Sequence, residues 1–68
     1  MKNIIIDVRE LDEFNAESIK DSVHIPLSHF DSLAPGTLSH FLDHKITLMC
    51  RSGARAKMAL NRAKSLGF

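Results

Sequence analysis

Residues 46–55 read ITLMCRSGAR, and this segment determines the architecture that we expect for the chain. A short apolar run, residues 46–49, leads into Cys50, which is the only cysteine, and a helical pattern follows at residues 56–66. A strand, a tight loop and a helix in this order place a side chain at the carboxyl edge of a parallel sheet and direct backbone N–H groups towards it. The segment therefore predicts a cysteine in positive potential, with a lowered thiol pKa and a raised thiolate fraction.

A second apolar segment lies near the start of the chain, where residues 4–8 read IIIDV. A continuous run of β-branched residues is typical of a strand that is buried on both faces. Asp7 and Arg9 come at its carboxyl end, which is the functional edge of an α/β sheet. The simplest interpretation of these two residues is an ion pair that fixes the following loop.

A helix and a second strand are predicted next. Residues 10–17 predict a short helix with Leu11 and Phe14 facing inward at i, i+3 spacing. Residues 19–25 contain a short apolar strand that ends at Pro26, because proline has no N–H group for the ladder. Together with the first strand, these segments give the order strand, helix, strand.

Two short helices and a turn are predicted before the strand that carries the cysteine. Ser28 is expected to cap a helix over residues 29–33, and residues 34–36, Ala-Pro-Gly, predict a turn. His40 and His44 are four residues apart in the next predicted helix. No third ligand and no cysteine accompany them, so we predict no metal site and no cofactor.

The last predicted element is the helix over residues 56–66. Its apolar side chains recur at helical spacing and form one stripe, which consists of Ala56, Ala59, Leu60, Ala63 and Leu66. The small alanines predict a close approach of the helix to the sheet, and Gly67 suits the residue that follows a helix end.

Length and composition indicate one globular domain over residues 1–68, with 44% hydrophobic and 25% charged residues. A chain of this size buries little surface, so we expect its stability to be marginal. A single cysteine excludes an internal disulfide and fits a reducing compartment, which predicts a cytoplasmic protein. The apolar run that begins at Met1 is too short for a signal peptide, and no transmembrane run is present.

The charge of the chain is unevenly distributed. Residues 1–43 carry three Lys or Arg and eight Asp or Glu, whereas residues 44–68 carry six basic residues and no acidic ones. This asymmetry indicates either an ordinary solvated helix face or a positive field around an anion site. Nucleic acid is not an expected partner, because no aromatic stacking platform accompanies the basic residues.

Two motifs resemble those of single-domain rhodaneses, which are sulfurtransferases. The loop CRSGARA, residues 50–56, resembles the active-site loop of that family. The second motif, near the start, resembles an IDVR strand with an acidic-aromatic pair and an Ile-Pro segment, and comprises residues 5–9, Glu13-Phe14, Ile19 and Ile25-Pro26. The two motifs lie in the expected order and together cover most of the chain.

The resemblance implies an α/β fold of the rhodanese-like three-layer type, with a parallel sheet that is incomplete at about three strands. The family order of strands is 1-5-4-2-3, and this chain supplies the equivalents of 2, 3 and 4. The family usually has Gly-His where this chain has Glu17-Ser18, and Gly-Ala where it has Asp21-Ser22. The family also continues with a strand, a glycine-rich turn and a helix with a tryptophan, so we expect a chain truncated at its C-terminus.

The strand that carries Cys50 is then an exposed edge, which predicts self-association through that edge. The resemblance further implies sulfur transfer through a persulfide on Cys50. Its partners would be a small anionic sulfur donor, such as thiosulfate, and a thiol or cyanide acceptor. Asp7 and Arg9 would brace the active-site loop from beneath. The residues expected to bind the donor are Arg51, Ser52, Gly53, Ala54 and Arg55, through backbone N–H groups and the two guanidinium groups.

Two other functions are left open by the sequence. A phosphatase uses a similar loop of the form Cys-x5-Arg, but here Ala56 stands six residues beyond Cys50, and Arg55 is only five beyond. The shorter loop suits a sulfur-sized group better than a phosphoryl group. The second alternative is a catalytically idle rhodanese-like binding or regulatory module, or a truncated product.

Overall fold

Strands and helices alternate along the chain in a computed structural model that describes residues 2–68. Met1, the first residue of the run that is too short for a signal peptide, lies outside the described residues. The elements are β1 (Lys2–Asp7), α1 (Leu11–Ala16), β2 (Val23–His24), α2 (Phe30–Leu38), β3 (His44–Met49) and α3 (Ala54–Ser65), with 3-10 turns at Leu27–His29 and Ser39–Phe41. This alternation is the pattern of an α/β protein with a parallel sheet.

The sheet has three strands in the order β2-β1-β3, and both pairings are parallel. Asp7 of β1 is in register with His24 of β2 on one side and with Met49 of β3 on the other. The predicted α/β class and the three-strand parallel sheet are therefore confirmed. The central position of β1 explains its continuous apolar run, whereas β3 pairs with β1 alone and forms an edge of the described sheet.

The core lies between one face of the sheet and the two longer helices, α2 and α3. Its buried hydrophobic residues come from β1 and the residue after it, from the segment after β2 and from both helices, and they are Ile6, Val8, Ile25, Phe30, Ala34, Leu38, Ala59 and Ala63. The predicted stripe of α3 is confirmed in its alanines, but Leu60 and Leu66 remain exposed. Each large side chain removed from water contributes about 1.5–3 kcal/mol, so Phe30 and Leu38 are major contributors to stability.

The helix α2 corrects the helix predicted over residues 29–33 and the turn predicted over residues 34–36. The expected turn at residues 34–36 lies inside the helix, which runs from Phe30 to Leu38 and contains Pro35. Phe30, Ala34 and Leu38 follow one another at intervals of four residues and are all buried. Because helix stability in proteins comes mainly from burial of such a face, this stripe outweighs the local preference of Pro35 and its glycine neighbour for a turn.

Several side chains also take places other than the predicted ones. Ser28 does not cap α2 but donates its hydroxyl hydrogen to Glu10 at 2.6 Å. His44 belongs to β3 and not to a helix shared with His40, and the described residues contain no cluster of metal ligands. Leu11 is 59% exposed, because α1 is short and turns this side chain to solvent.

The second strand is shorter than predicted. It comprises only Val23–His24, and Ile19 lies outside it and is exposed. The carboxyl end of α3 agrees with the prediction, since Gly67 has a φ of 94° and the N–H of Phe68 donates to the carbonyl of Ala63 at 2.9 Å. These features define a Schellman motif, which satisfies the last carbonyls of the helix. Across residues 2–68 we find no helix of sufficient length and apolarity to cross a membrane.

Candidate active site

Cys50 lies directly after β3, at the carboxyl edge of the sheet, and its side chain is partly buried. A loop of three residues then leads to α3, which begins at Ala54. Gly53 ends the loop as the residue before the helix, with a φ of 84°, a left-handed conformation that costs other residues energy. This glycine allows the chain to turn back so closely that the first turn of α3 faces the sulfur.

Backbone N–H groups surround the sulfur of Cys50. The N–H of Gly53 donates to Sγ at a nitrogen–sulfur distance of 2.9 Å, and the N–H of Ala56 donates at 3.2 Å. The first N–H groups of a helix have no partner within the helix, so those at the start of α3 are available for an external acceptor. They carry the positive end of the helix dipole, which favours an anion at this point. We call the N–H groups of Ser52, Gly53, Arg55 and Ala56 the cradle.

The cradle lowers the pKa of the Cys50 thiol. Burial of the sulfur alone raises this pKa, but the N–H groups of Ala56, Ser52, Gly53 and Arg55 together outweigh burial and hold it below its ordinary value. The predicted microenvironment of the cysteine is therefore present, and it arises mainly from backbone dipoles. A lowered thiol pKa increases the thiolate fraction, and the thiolate is the nucleophilic form.

Arg55 was expected to attract the donor, but its guanidinium group is paired with Glu13 of α1. Nη1 contacts Oε1 at 2.5 Å and Nη2 contacts Oε2 at 2.8 Å, so the two groups meet in a bidentate arrangement. The hydrogen bonds from Arg55 lower the pKa of Glu13 to about 2, and the pairing raises the pKa of Arg55. Donor binding by Arg55 stays a prediction, and the structure gives this side chain a carboxylate partner within the chain.

The other predicted loop residues are Arg51, Ser52 and Ala54, and all three are exposed. Arg51 follows the cysteine directly, and in the described part of the chain no carboxylate forms a salt bridge with it. Its guanidinium group is thus accessible to an anionic ligand. Ser52 contributes its backbone N–H to the environment of the sulfur, and donor binding by Ala54 stays a prediction.

Asp7 and Arg9 form the expected ion pair. The Asp7 carboxylate is fully buried and accepts hydrogen bonds from Nη2 of Arg9 at 2.8 Å and from Nε at 3.1 Å. The same guanidinium group donates to the carbonyl of Glu17, at the end of α1, at 2.6 Å. The pair therefore connects β1 with α1. Directly after β1, the N–H of Val8 donates to the carbonyl of Met49 at 3.0 Å, and Met49 is the residue before Cys50.

Sequence reasoning missed the part that α1 plays at this site. Glu13 stands in the acidic-aromatic pair of the second motif, but the sequence did not show that it contacts a residue 42 positions further on. Phe14 stacks on His24 with ring centroids 4.4 Å apart, and Nε2 of His24 donates to the carbonyl of Arg9 at 2.7 Å. These contacts hold α1 beside the carboxyl ends of β1 and β2.

The fold and the site define a class of protein in which a cysteine thiolate, held by loop and helix N–H groups, stands at the carboxyl edge of a parallel sheet. The model of the rhodanese-like domain family matches residues 1–68, and the chain belongs to this family. It is also 38% identical over 64 residues to YrkF of Bacillus subtilis (strain 168), which is described as a putative sulfur carrier protein. The match covers 94% of this chain but 33% of that relative. No solved structure gives a significant match.

Proposed function

We propose that this chain is a sulfurtransferase that carries a sulfane sulfur as a persulfide on Cys50. The observation that carries the proposal is the cradle, in which two backbone N–H groups lie 2.9 Å and 3.2 Å from Sγ. Such an array stabilises negative charge on the sulfur of Cys50 and on a second sulfur bound to it. Membership of the rhodanese-like family and the likeness to a sulfur carrier support the same reaction class.

The first step is a displacement at sulfur. The Cys50 thiolate attacks the outer sulfur of thiosulfate, a sulfur–sulfur bond forms, and the bond between the outer sulfur and the sulfonate group breaks. Sulfite leaves with the electron pair of that bond, and the enzyme holds a persulfide anion. No proton is transferred in this step, because the attacking species is the thiolate, whose fraction the lowered pKa increases.

The second step returns the enzyme to its starting state. A thiolate or cyanide ion attacks the outer sulfur of the persulfide, and the Cys50 thiolate leaves. The products are a persulfide of the acceptor or thiocyanate. Two displacements through a covalent intermediate predict ping-pong kinetics. Arg51 attracts the anionic donor, and the proposed compartment is the cytoplasm, where the thiol stays reduced.

The test is the mass of the intact protein after incubation with thiosulfate. We expect an increase equal to one added sulfur atom, which disappears on addition of cyanide as thiocyanate is released. Cys50→Ser is the matched control, because it retains the loop and removes the nucleophile; it should show neither the added mass nor thiocyanate formation. Undiminished transfer by Cys50→Ser would contradict the proposal.

A second assay, hydrolysis of p-nitrophenyl phosphate by the same two proteins, separates the alternative functions. A phosphatase would hydrolyse p-nitrophenyl phosphate faster than it forms thiocyanate, and Cys50→Ser would abolish that hydrolysis. A folded protein that forms no persulfide and hydrolyses no phosphate ester would instead be a binding module. No feature of the site favours the phosphatase, since the position at which that loop requires arginine is occupied by Ala56.

A further inference from the structure

We propose that Glu13 is a positioning residue of this site: it holds Arg55 and the first turn of α3 in place, and Arg51 alone recognises the anionic donor. The part of this proposal that concerns the donor rests on the proposed function of Cys50. The part that concerns Glu13 and the position of the sulfur does not. It assigns a role to Glu13, and it gives different roles to Arg51 and Arg55, both of which the sequence predicted to bind the donor.

The first argument is the geometry of the contact between Glu13 and Arg55. Both carboxylate oxygens accept from the guanidinium group, and the two side chains are only 26% and 28% exposed. Oε1 of Glu13 also accepts from the backbone N–H of Glu10 at 3.1 Å, so the carboxylate is itself fixed at the start of α1. A planar, two-contact ion pair restrains orientation as well as distance.

The second argument is the position of Arg55 in α3. It is the second residue of that helix, and Ala56, whose N–H donates to the sulfur of Cys50, follows it directly. Restraint of the Arg55 side chain therefore restrains the peptide groups that form the cradle. The contact also joins segments 42 residues apart in the sequence, so it fixes the loop relative to the rest of the fold.

The third argument concerns the charges near the sulfur. Arg55 interacts with the Cys50 thiolate and with the carboxylates of Glu13 and Glu10 from the side of α1. The Glu13 carboxylate cancels much of the charge of Arg55 at contact distance and occupies the two terminal nitrogens of its guanidinium group. Arg51 is exposed and, within residues 2–68, has no salt-bridge partner. It is the loop cation that an incoming anion meets.

The test measures the rate of Cys50 alkylation by iodoacetamide as a function of pH, which reports the thiol pKa without any sulfur donor. Glu13→Gln retains the shape of the side chain and removes its charge. We expect the thiol pKa to rise by about half a unit to one unit, which lowers the alkylation rate about three- to tenfold at any pH below both pKa values. Loss of a nearby carboxylate charge without loosening of the cradle would lower the thiol pKa, so the two explanations predict opposite signs.

Asp31→Asn is the matched control. Asp31 of α2 accepts from Nε of Arg62 at 2.8 Å and from its Nη2, so this pair also attaches α3 to another helix by two contacts, but at a distance from the loop. We expect Asp31→Asn to leave the alkylation profile unchanged. A fall or no change in the thiol pKa of Glu13→Gln would overturn the positioning role, and so would an equal shift in Asp31→Asn.

A double-mutant cycle with Arg55→Gln completes this test. If Glu13 acts through Arg55, Glu13→Gln should cause no further rise in thiol pKa when Arg55 is already replaced. A full additional rise would overturn the proposal. Circular dichroism checks that each variant is folded; if Glu13→Gln is not, Arg55→Lys retains a single contact to Glu13 and should show a smaller rise of the same sign.

The different roles of the two arginines are tested separately, by the KM for thiosulfate. Arg51→Gln should raise the KM for thiosulfate about fivefold or more and weaken its dependence on ionic strength, because the exposed anion contact is lost. Arg55→Gln should act mainly through the thiol pKa. An unchanged KM in Arg51→Gln would overturn the assignment. Failure of the wild-type protein to form a persulfide would contradict the proposed function, while the alkylation profiles would still decide the role of Glu13.

Discussion

Removal of the Arg9 guanidinium group tests the buried ion pair at the carboxyl end of β1. Asp7 is fully buried, and its carboxylate accepts from the backbone N–H of Arg9 at 2.9 Å as well as from the Arg9 side chain. Arg9→Met retains the backbone donor and most of the aliphatic stem. The variant therefore leaves the Asp7 carboxylate buried with one of its hydrogen-bond donors and without its counter-charge.

The expected cost follows from the burial of Asp7. Removal of one partner from a buried pair destabilises a protein by about 3–5 kcal/mol, because the remaining charge is uncompensated. Since the backbone N–H stays in place, we expect the lower end, about 3 kcal/mol at pH 7. This is a large part of the total stability of a typical domain, which is about 5–15 kcal/mol.

The sign of the pH dependence should reverse in this variant. In the wild-type protein burial raises the pKa of Asp7, but the hydrogen bonds and charge of Arg9 outweigh burial and hold the pKa below its ordinary value of 3.8. The stabilisation is then present above the unfolded pKa and is lost as the pH falls through the folded pKa. Without Arg9, burial raises the folded pKa above the unfolded one, so the variant gains stability as the pH falls from 7 to 5.

The assay is urea unfolding followed by circular dichroism at pH 5 and pH 7. The double variant Asp7→Asn/Arg9→Met serves as the control, because it removes the Asp7 carboxylate and retains every ionisable group other than Asp7 and Arg9. We expect the double variant to recover part of the stability lost in Arg9→Met and to lack its extra gain at pH 5. A loss below about 1 kcal/mol at pH 7, or a pH dependence equal to that of the control, would refute the reasoning.

The remaining predictions concern two of the three glycines and the sheet edge. Gly53→Ala should cost about 1–2 kcal/mol in urea unfolding, because φ is 84° and a Cβ would meet nothing within 4 Å, so only backbone strain acts. Gly36→Ala should gain up to about 1 kcal/mol, because Gly36 lies inside α2 in open space; a loss there would show that α2 is not helical at this point. Sedimentation should show concentration-dependent association through β3, and Thr47→Lys, at an exposed position of that strand, should reduce it; an unchanged monomer in both proteins would exclude the edge contact.

The parts of the fold that the sequence predicted are those in which local pattern and tertiary packing agree. Residues 4–6 are apolar without interruption and lie in the central strand, and the run before Cys50 lies in the edge strand beside it. A central strand of a parallel sheet needs apolar residues on both faces, so a short apolar run of this kind predicts such a strand. The small residues of α3 likewise allowed its inner face to be assigned, with Ala59 and Ala63 buried against the core.

The errors arise where local signals compete with packing. Residues 34–36 contain proline and glycine and predict a turn, but Ala34 lies between Phe30 and Leu38 on one buried face. The free energy of that face depends on contacts with α3 and the sheet, which a local reading of the sequence does not include. Ser28 is a similar case, because its carboxylate partner, Glu10, lies 18 residues away and not within the following helix.

The charge asymmetry of the sequence has a different meaning in the folded chain. Carboxylates from the acidic half pair with Arg55 and Arg62 of the basic half, so much of the expected positive field is cancelled where the halves meet. What remains at the sulfur of Cys50 is a set of N–H dipoles, two of which donate at 2.9 Å and 3.2 Å. Salt screens charges separated by about 10 Å or more but has little effect on dipoles in contact with the sulfur. Activation of the thiol should therefore be nearly independent of ionic strength, whereas attraction of the donor by the exposed Arg51 should depend on it strongly.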